Sequence, residues 1–186
     1  RPRGTLIEMD YEISLNEGDE LGIKIASHIL SKKTYCCWFR EHAIAVEAVY
    51  PNSIDPAALQ YYGFLKYALE KYQEKYKSFL FALGFAEPFN IQHYEPGEGY
   101  FNWHCERGMQ QSHQRALVFM TYLNDVTDGG ETQWLYQEKQ IQPKKGLTVL
   151  WPTDFTHTHR GVVSPTQPKT IATGWYNYLD VRSIMV

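Results

Sequence analysis

Between residues 89 and 178 the chain is cut by Gly and Pro into short extended runs, and this limits the fold more than any other feature of the sequence. Candidate strands fall at 89–94, 100–106, 115–123, 132–136, 139–141, 147–151, 156–160 and 169–178. Turn signals stand at 95–99, 125–130, 143–146 and 164–168, each carrying Gly, Pro or both. Eight short strands so closely spaced point to a sandwich or jelly roll. The aromatic content of 15%, with 14 Tyr and 5 Trp, fits a β-rich chain better than a helical bundle.

The first 88 residues read differently. A loose alternation over 6–13 predicts a strand, helical spacing over 20–30 a helix, and the apolar run 38–49 a strand pair or strand and turn. The clearest helix opens on Asp55 as N-cap with Pro56 in its first turn. Its stripe of Leu59, Tyr62, Leu65, Leu69, Tyr72, Tyr76, Phe79 and Leu83 predicts a helix over 57–83, bent or divided at Gly63 and capped by Gly84. The expectation is one domain, 1–186. Residues 1–88 supply strands and supporting helices on the outer face of a jelly-roll core at 89–180.

Composition removes several function classes. A net charge of −3 argues against a general nucleic-acid binder, which needs a basic face. No apolar run approaches the roughly 18 residues needed to span a bilayer, and no leader pattern opens the chain. Cys36, Cys37 and Cys105 are odd in number and two are adjacent, so they read as reduced thiols and a cytoplasmic location is expected. The chain opens on Arg1 without Met, as a processed or trimmed piece would.

The candidate chemistry sits in residues 100–106. On an extended strand, side chains two apart share a face, so His104 and Glu106 would project together, away from Trp103 and Cys105. An imidazole and a carboxylate so placed supply two ligands to a divalent metal. A third can come from His157 or His159 in the later strand. Two His and one carboxylate with open positions opposite suit non-haem Fe(II).

Several further residues stand in order around this pair: Tyr94, Pro96, Gly97, Tyr100, Arg115, Tyr122, Asn124, Gly129, Gly130, Glu131, Thr132, Pro143, Gly146, Gly161 and Lys169. Over roughly 91–178 the set resembles the prolyl 4-hydroxylase-like branch of the 2-oxoglutarate- and Fe(II)-dependent dioxygenases. The resemblance implies a double-stranded β-helix, a cupin-like jelly roll, with Fe(II), 2-oxoglutarate and O2 as cofactor and co-substrates and ascorbate as a candidate reductant. It implies His104, Glu106 and His159 as iron ligands, with His159 favoured over His157 by the Gly two residues on and Lys169 ten residues on. It further implies Lys169 and Tyr122 on the far carboxylate of 2-oxoglutarate and Tyr94 lining the iron pocket. Strand parity independently puts Lys169, Ile171, Thr173 and Trp175 on one face, so Thr173 and Trp175 would line the same cavity. The commoner family motif has Asp where this chain has Glu106, one methylene longer with the same charge and oxygen donor, which leaves the coordination mode open.

The expected activity is hydroxylation of an unactivated C–H bond, on a peptide or protein residue. The competing readings are a small-molecule hydroxylase of the same chemistry and a non-catalytic metal-binding jelly roll. Arg115 is read either as a substrate contact or as cover for a sheet edge. His28, His42, His93 and His113 are read as structural.

Overall fold

The computed structural model describes residues 11–14, 45–79 and 81–179. The expected helix at 20–30, the bulk of the expected strands at 6–13 and 38–49, and Cys36, Cys37, His28 and His42 lie outside these residues. The described strands are β1 (Tyr11–Ser14), β2 (Ala45–Val49), β3 (Leu83–Gly84), β4 (Phe89–Tyr94), β5 (Arg115–Tyr122), β6 (Thr132–Trp134), β7 (Lys139–Ile141), β8 (Leu147–Pro152), β9 (His159–Gly161) and β10 (Lys169–Tyr178). Helix α1 is Pro56–Lys75. It is not long and apolar enough to cross a membrane.

The larger sheet runs β1-β8-β5-β10-β4-β2, with β3 on the far end of β10, and the smaller runs β7-β6-β9. Every pairing is antiparallel. The period of two along β5 and β10 divides the larger sheet into two working faces. Leu117, Phe119, Ala172 and Tyr176 turn toward α1, where Tyr61, Tyr62, Leu65, Ala68 and Tyr72 meet them. Val118, Met120, Tyr122 and Ile171 turn the other way, against Trp134 and Ile141 of the smaller sheet and Val149 and Trp151 of β8. Burial on both faces is why residues 116–122 read as an almost unbroken apolar run.

Burying a side chain such as Leu65 contributes about 1.5–3 kcal/mol. The tyrosines of α1 are used without leaving orphan hydroxyls. Tyr61 bonds Thr121 Oγ1 at 2.7 Å and Tyr62 donates to the Val49 carbonyl at 3.0 Å. From β10, Tyr176 donates to the Leu65 carbonyl at 2.7 Å. Asp55 caps the helix as expected, its Oδ1 accepting from the amides of Ala57 and Ala58.

Four expectations for this helix are corrected. It stops at Lys75, because Tyr76 leaves helical geometry and the chain folds back so that Tyr76 and Phe79 pack on Tyr72. Gly84 therefore lies in β3 rather than capping α1. Gly63 neither bends nor divides the helix: it faces open space, and the ladder runs through it. Leu59 is 54% exposed, while Tyr62, Leu65 and Tyr72 are buried as expected and Ala58, Tyr61 and Ala68 join them.

Candidate active site

Residues 100–106 do not form the expected strand. They meet β9 in a single bridge, with His104 and His159 directly opposite and exchanging both backbone hydrogen bonds at 3.0 and 2.9 Å. Farther on the ladder fails, because the amides of Glu106 and Arg107 both turn to the Thr153 carbonyl, each at 3.1 Å. The strand expected at 156–160 is likewise broken: 155–157 is a short 3-10 turn and β9 begins at His159. His157 and His159 therefore do not share a strand face. The His157 ring lies by Thr156 Oγ1 at 3.1 Å, while its carbonyl contacts His159 Nδ1 at 3.0 Å.

The result is still a convergence of three side chains. Ligand atoms of His104, Glu106 and His159 lie within 4.8 Å of one another. Glu106 Oε1 is 3.2 Å from His104 Nε2 and 3.5 Å from His159 Nε2. Both Nδ1 atoms face carbonyls, Asn102 O at 2.9 Å for His104 and His157 O for His159. A carbonyl only accepts, so the proton is assigned to Nδ1 in each ring and the Nε2 lone pair turns inward. Burial lowers the pKa of His159 and keeps the ring neutral, although Glu106 and the His157 carbonyl pull the other way.

Lys169 opens β10 opposite Tyr94 of β4. Its ammonium lies 5.2 Å from the centre of the Tyr94 ring and donates to the Gly130 carbonyl at 3.1 Å. Gly130 presents that carbonyl from a backbone with φ +80, which a side chain would strain. Gly161 serves by being small: a Cβ there would stand 3.3 Å from Lys169 Nζ. Burial pushes the Lys169 ammonium down to about 8, with Glu131 opposing. Tyr122 is fully buried beside Ile171 of β10 and donates to Thr132 Oγ1 at 2.7 Å. Thr173 Oγ1 bonds the Phe119 carbonyl at 3.1 Å. Tyr94 is buried, its hydroxyl on Gln92 Oε1 at 2.7 Å.

Residues 89–177 match the model of the 2OG-Fe(II) oxygenase superfamily. This stretch, just under half of the chain, is similar to a 2OG-Fe(II) oxygenase domain. A PKHD-type hydroxylase of Synechococcus sp. (strain CC9902) is 30% identical over 89 residues, 46% of this chain. The match spans only 39% of that relative's length. A Pseudomonas putida prolyl-4-hydroxylase superposes with a TM-score of 0.69 at 16% identity, covering 91% of this chain and 92% of its own. The viral collagen prolyl hydroxylase of Paramecium bursaria Chlorella virus-1, as its 2OG complex, gives 0.68 at 16%, covering 91% and 96%. A Trichoplax adhaerens prolyl hydroxylase, in complex with a hypoxia inducible factor peptide fragment, gives 0.68 at 14%, covering 95% and 86%. At such identities the likeness establishes the fold, a double-stranded β-helix.

Such oxygenases take Fe(II), 2-oxoglutarate and O2. The donor set of His104, Glu106 and His159 fits such a metal on its own geometry. Three lone-pair atoms turned toward one another repel until a cation sits among them, and two imidazoles with one carboxylate leave positions open on the other side. The surroundings also fit an anion. Among the described residues the buried Lys169 ammonium has one acceptor, a neutral carbonyl. The indole N–H groups of Trp134 and Trp151 are buried without a hydrogen-bond partner, and the Trp151 ring centre is 5.0 Å from that of His159.

The sequence alone does not point to Glu87 beside the site, and it leaves Arg115 undecided. The Arg115 guanidinium carbon lies over Trp175, 3.4 Å from the ring centre, and the group grips the Glu87 carboxylate at 2.6–3.1 Å. Burial would raise the Glu87 carboxyl, but Arg115 and Asn177 bond it and bring it below its usual value. Nothing in the spacing of Glu87, Arg115 and Trp175 marks them as neighbours. The pairing of β5 with β10 makes them so, with Arg115 opposite Asn177.

Proposed function

We propose that this chain is an Fe(II)- and 2-oxoglutarate-dependent hydroxylase of unactivated C–H bonds, working as one domain. The observation that carries the reading is the convergence of His104, Glu106 and His159 inside a matching oxygenase domain. In this reading those three residues hold the iron. When bound, iron with 2-oxoglutarate and dioxygen supplies the oxidising power to place one oxygen atom in a C–H bond as the keto acid becomes succinate and carbon dioxide.

The chain's own part is binding, orientation and exclusion of water. Lys169 gives the far carboxylate of 2-oxoglutarate a buried cation, and Tyr122 turns its proton from Thr132 to the same group. Tyr94 and Thr173 wall the co-substrate, from β4 and β10. The Nδ1 contacts of His104 and His159 hold both rings with Nε2 toward the ion.

For the substrate we propose a peptide or protein segment. Phe101 and Trp103, flanking the approach to His104, are 47% and 39% exposed, and Phe155 is 71% exposed. Exposed aromatic rings suit an extended, proline-containing segment whose geometry is already set. The peptide complex of the Trichoplax adhaerens enzyme supports the same class. The purified chain with Fe(II) and 2-oxoglutarate is expected to form succinate, coupled to gain of one oxygen by a proline-containing peptide on mass spectrometry. No succinate under any condition overturns the activity. Succinate without modification of any peptide in a broad library turns the substrate assignment toward a small molecule.

A further inference from the structure

We propose that Trp175 and Arg115 hold Glu106 to coordination through one oxygen, and that Glu87 positions Arg115 for this task. The inference rests on the metal-site reading above and concerns the residue that departs from the commoner Asp. A Glu is one methylene longer and has one more torsion. Left free, both of its oxygens can turn to the same ion and occupy a position that the co-substrate or dioxygen needs.

Here the two oxygens are divided. Oε1 faces both imidazoles, at 3.2 and 3.5 Å. Oε2 accepts from the Trp175 indole N–H at 3.0 Å and lies 3.5 Å from Arg115 NH1. The partners come from different elements, each fixed independently. Trp175 points inward from β10 by the same parity as Lys169 and Ile171. Arg115 starts β5 and covers the Trp175 ring from outside. Its Nε and NH2 both bond Glu87, whose Oε1 also accepts from Asn177 Nδ2 at 2.8 Å. Asn177 is tied in turn to the Ala86 amide at 3.3 Å. A plain Arg–Glu ion pair explains the Glu87 contact but not the rest. NH1 is shared between the Glu106 backbone carbonyl at 3.4 Å and Oε2 at 3.5 Å, so Arg115 holds the main chain and the side chain of the residue whose Oε2 takes the indole N–H.

The test is anaerobic titration of the full chain with Co(II), followed by its visible absorption, in a double-mutant cycle of Trp175→Phe and Glu106→Asp. Phe keeps an aromatic face for Arg115 and removes only the N–H. With Glu106 present, Trp175→Phe is expected to weaken Co(II) binding about 10- to 100-fold. It should also lower the intensity of the cobalt bands, as the freed carboxylate closes on the ion and raises its coordination number. An Asp is one methylene short of the indole, so in the Glu106→Asp background the same change should cost less than about twofold, a coupling that a packing role lacks. Arg115→Lys, which keeps the charge but loses the fork, should follow Trp175→Phe in direction. Glu87→Gln should do the same with a smaller loss. Equal losses in both backgrounds, or unchanged affinity and spectrum in Trp175→Phe, overturn the proposal. If wild type binds Co(II) and His104→Ala does not, the metal site stands whatever Trp175 does. If wild type binds none, both readings fall.

Discussion

The two faces of the larger sheet are cut from the same strands but use their side chains in opposite ways. Toward α1, β5 and β10 present Leu117, Phe119, Ala172 and Tyr176, and the polar atoms that come along are closed off locally, as in the bond from Tyr176 to Leu65. Toward the smaller sheet, neighbouring positions of the same strands present Tyr122, Lys169 and Trp175, beside His159 and Glu106. There a buried cation and converging lone pairs are left without full compensation inside the protein. One face stores stability. The other accepts unfavourable desolvation that a metal and an anion would relieve.

The comparison breaks most sharply at the ligands. His104→Ala and His159→Ala are each expected to abolish the visible charge-transfer band of Fe(II) with 2-oxoglutarate under anaerobic conditions, with little change in melting temperature. His157→Ala should keep most of the band, because its ring faces Thr156. A band lost with His157 and kept without His159 would reverse the assignment.

On the helix face the effect should reverse in kind. Phe119 is 1% exposed against Tyr61, Phe89 and Tyr176, and Phe119→Ala should cost about 3–5 kcal/mol in urea unfolding. The iron and 2-oxoglutarate band per folded molecule should remain. If the band disappears while the protein is still folded, the two faces are not separable.

Smaller and more informative are changes at Lys169. Loss of a charge-assisted bond costs about 1.5–3 kcal/mol, so Lys169→Ala should weaken 2-oxoglutarate roughly 10- to 150-fold and leave metal binding intact. Tyr122→Phe removes only a neutral donor and should do less. The pH dependence follows from the lowered ammonium. Its pKa in the free protein is about 8, against an ordinary 10.5, so the charge the carboxylate needs is present below pH 8 and lost above it. Affinity for 2-oxoglutarate should therefore fall by about tenfold from pH 7 to pH 9 and be flat over this range in Lys169→Arg. The same shift predicts that the ligand-free fold gains stability as pH rises from 8 to 10.5, because there the unfolded chain binds the extra proton. Isothermal titration at several pH values measures the first effect, and urea melts the second.

Much of this architecture is local information. The starts of β4 and β10 follow from Pro88 and Pro168 directly before them and from the apolar residues that recur after each, and the inward face of β10 follows from parity alone. The Asp55 cap is legible for the same reason, since side chain and amides are three residues apart or fewer. His104 and Glu106 were readable as a pair, although the reason lay elsewhere than in strand parity. One bridge to His159 and two amides on Thr153 bring them together. The end of α1 was not readable, because the apolar stripe continues past Lys75 and only the packing of Tyr76 and Phe79 on Tyr72 decides that the chain turns back. Nor was Glu87, whose place depends on β5 and β10 meeting in register near Asn177. Periodicity determines which side of a strand a residue occupies. Which distant oxygen, indole or guanidinium it finds there is set by the pairing of strands far apart in the chain, and only the tertiary structure decides that.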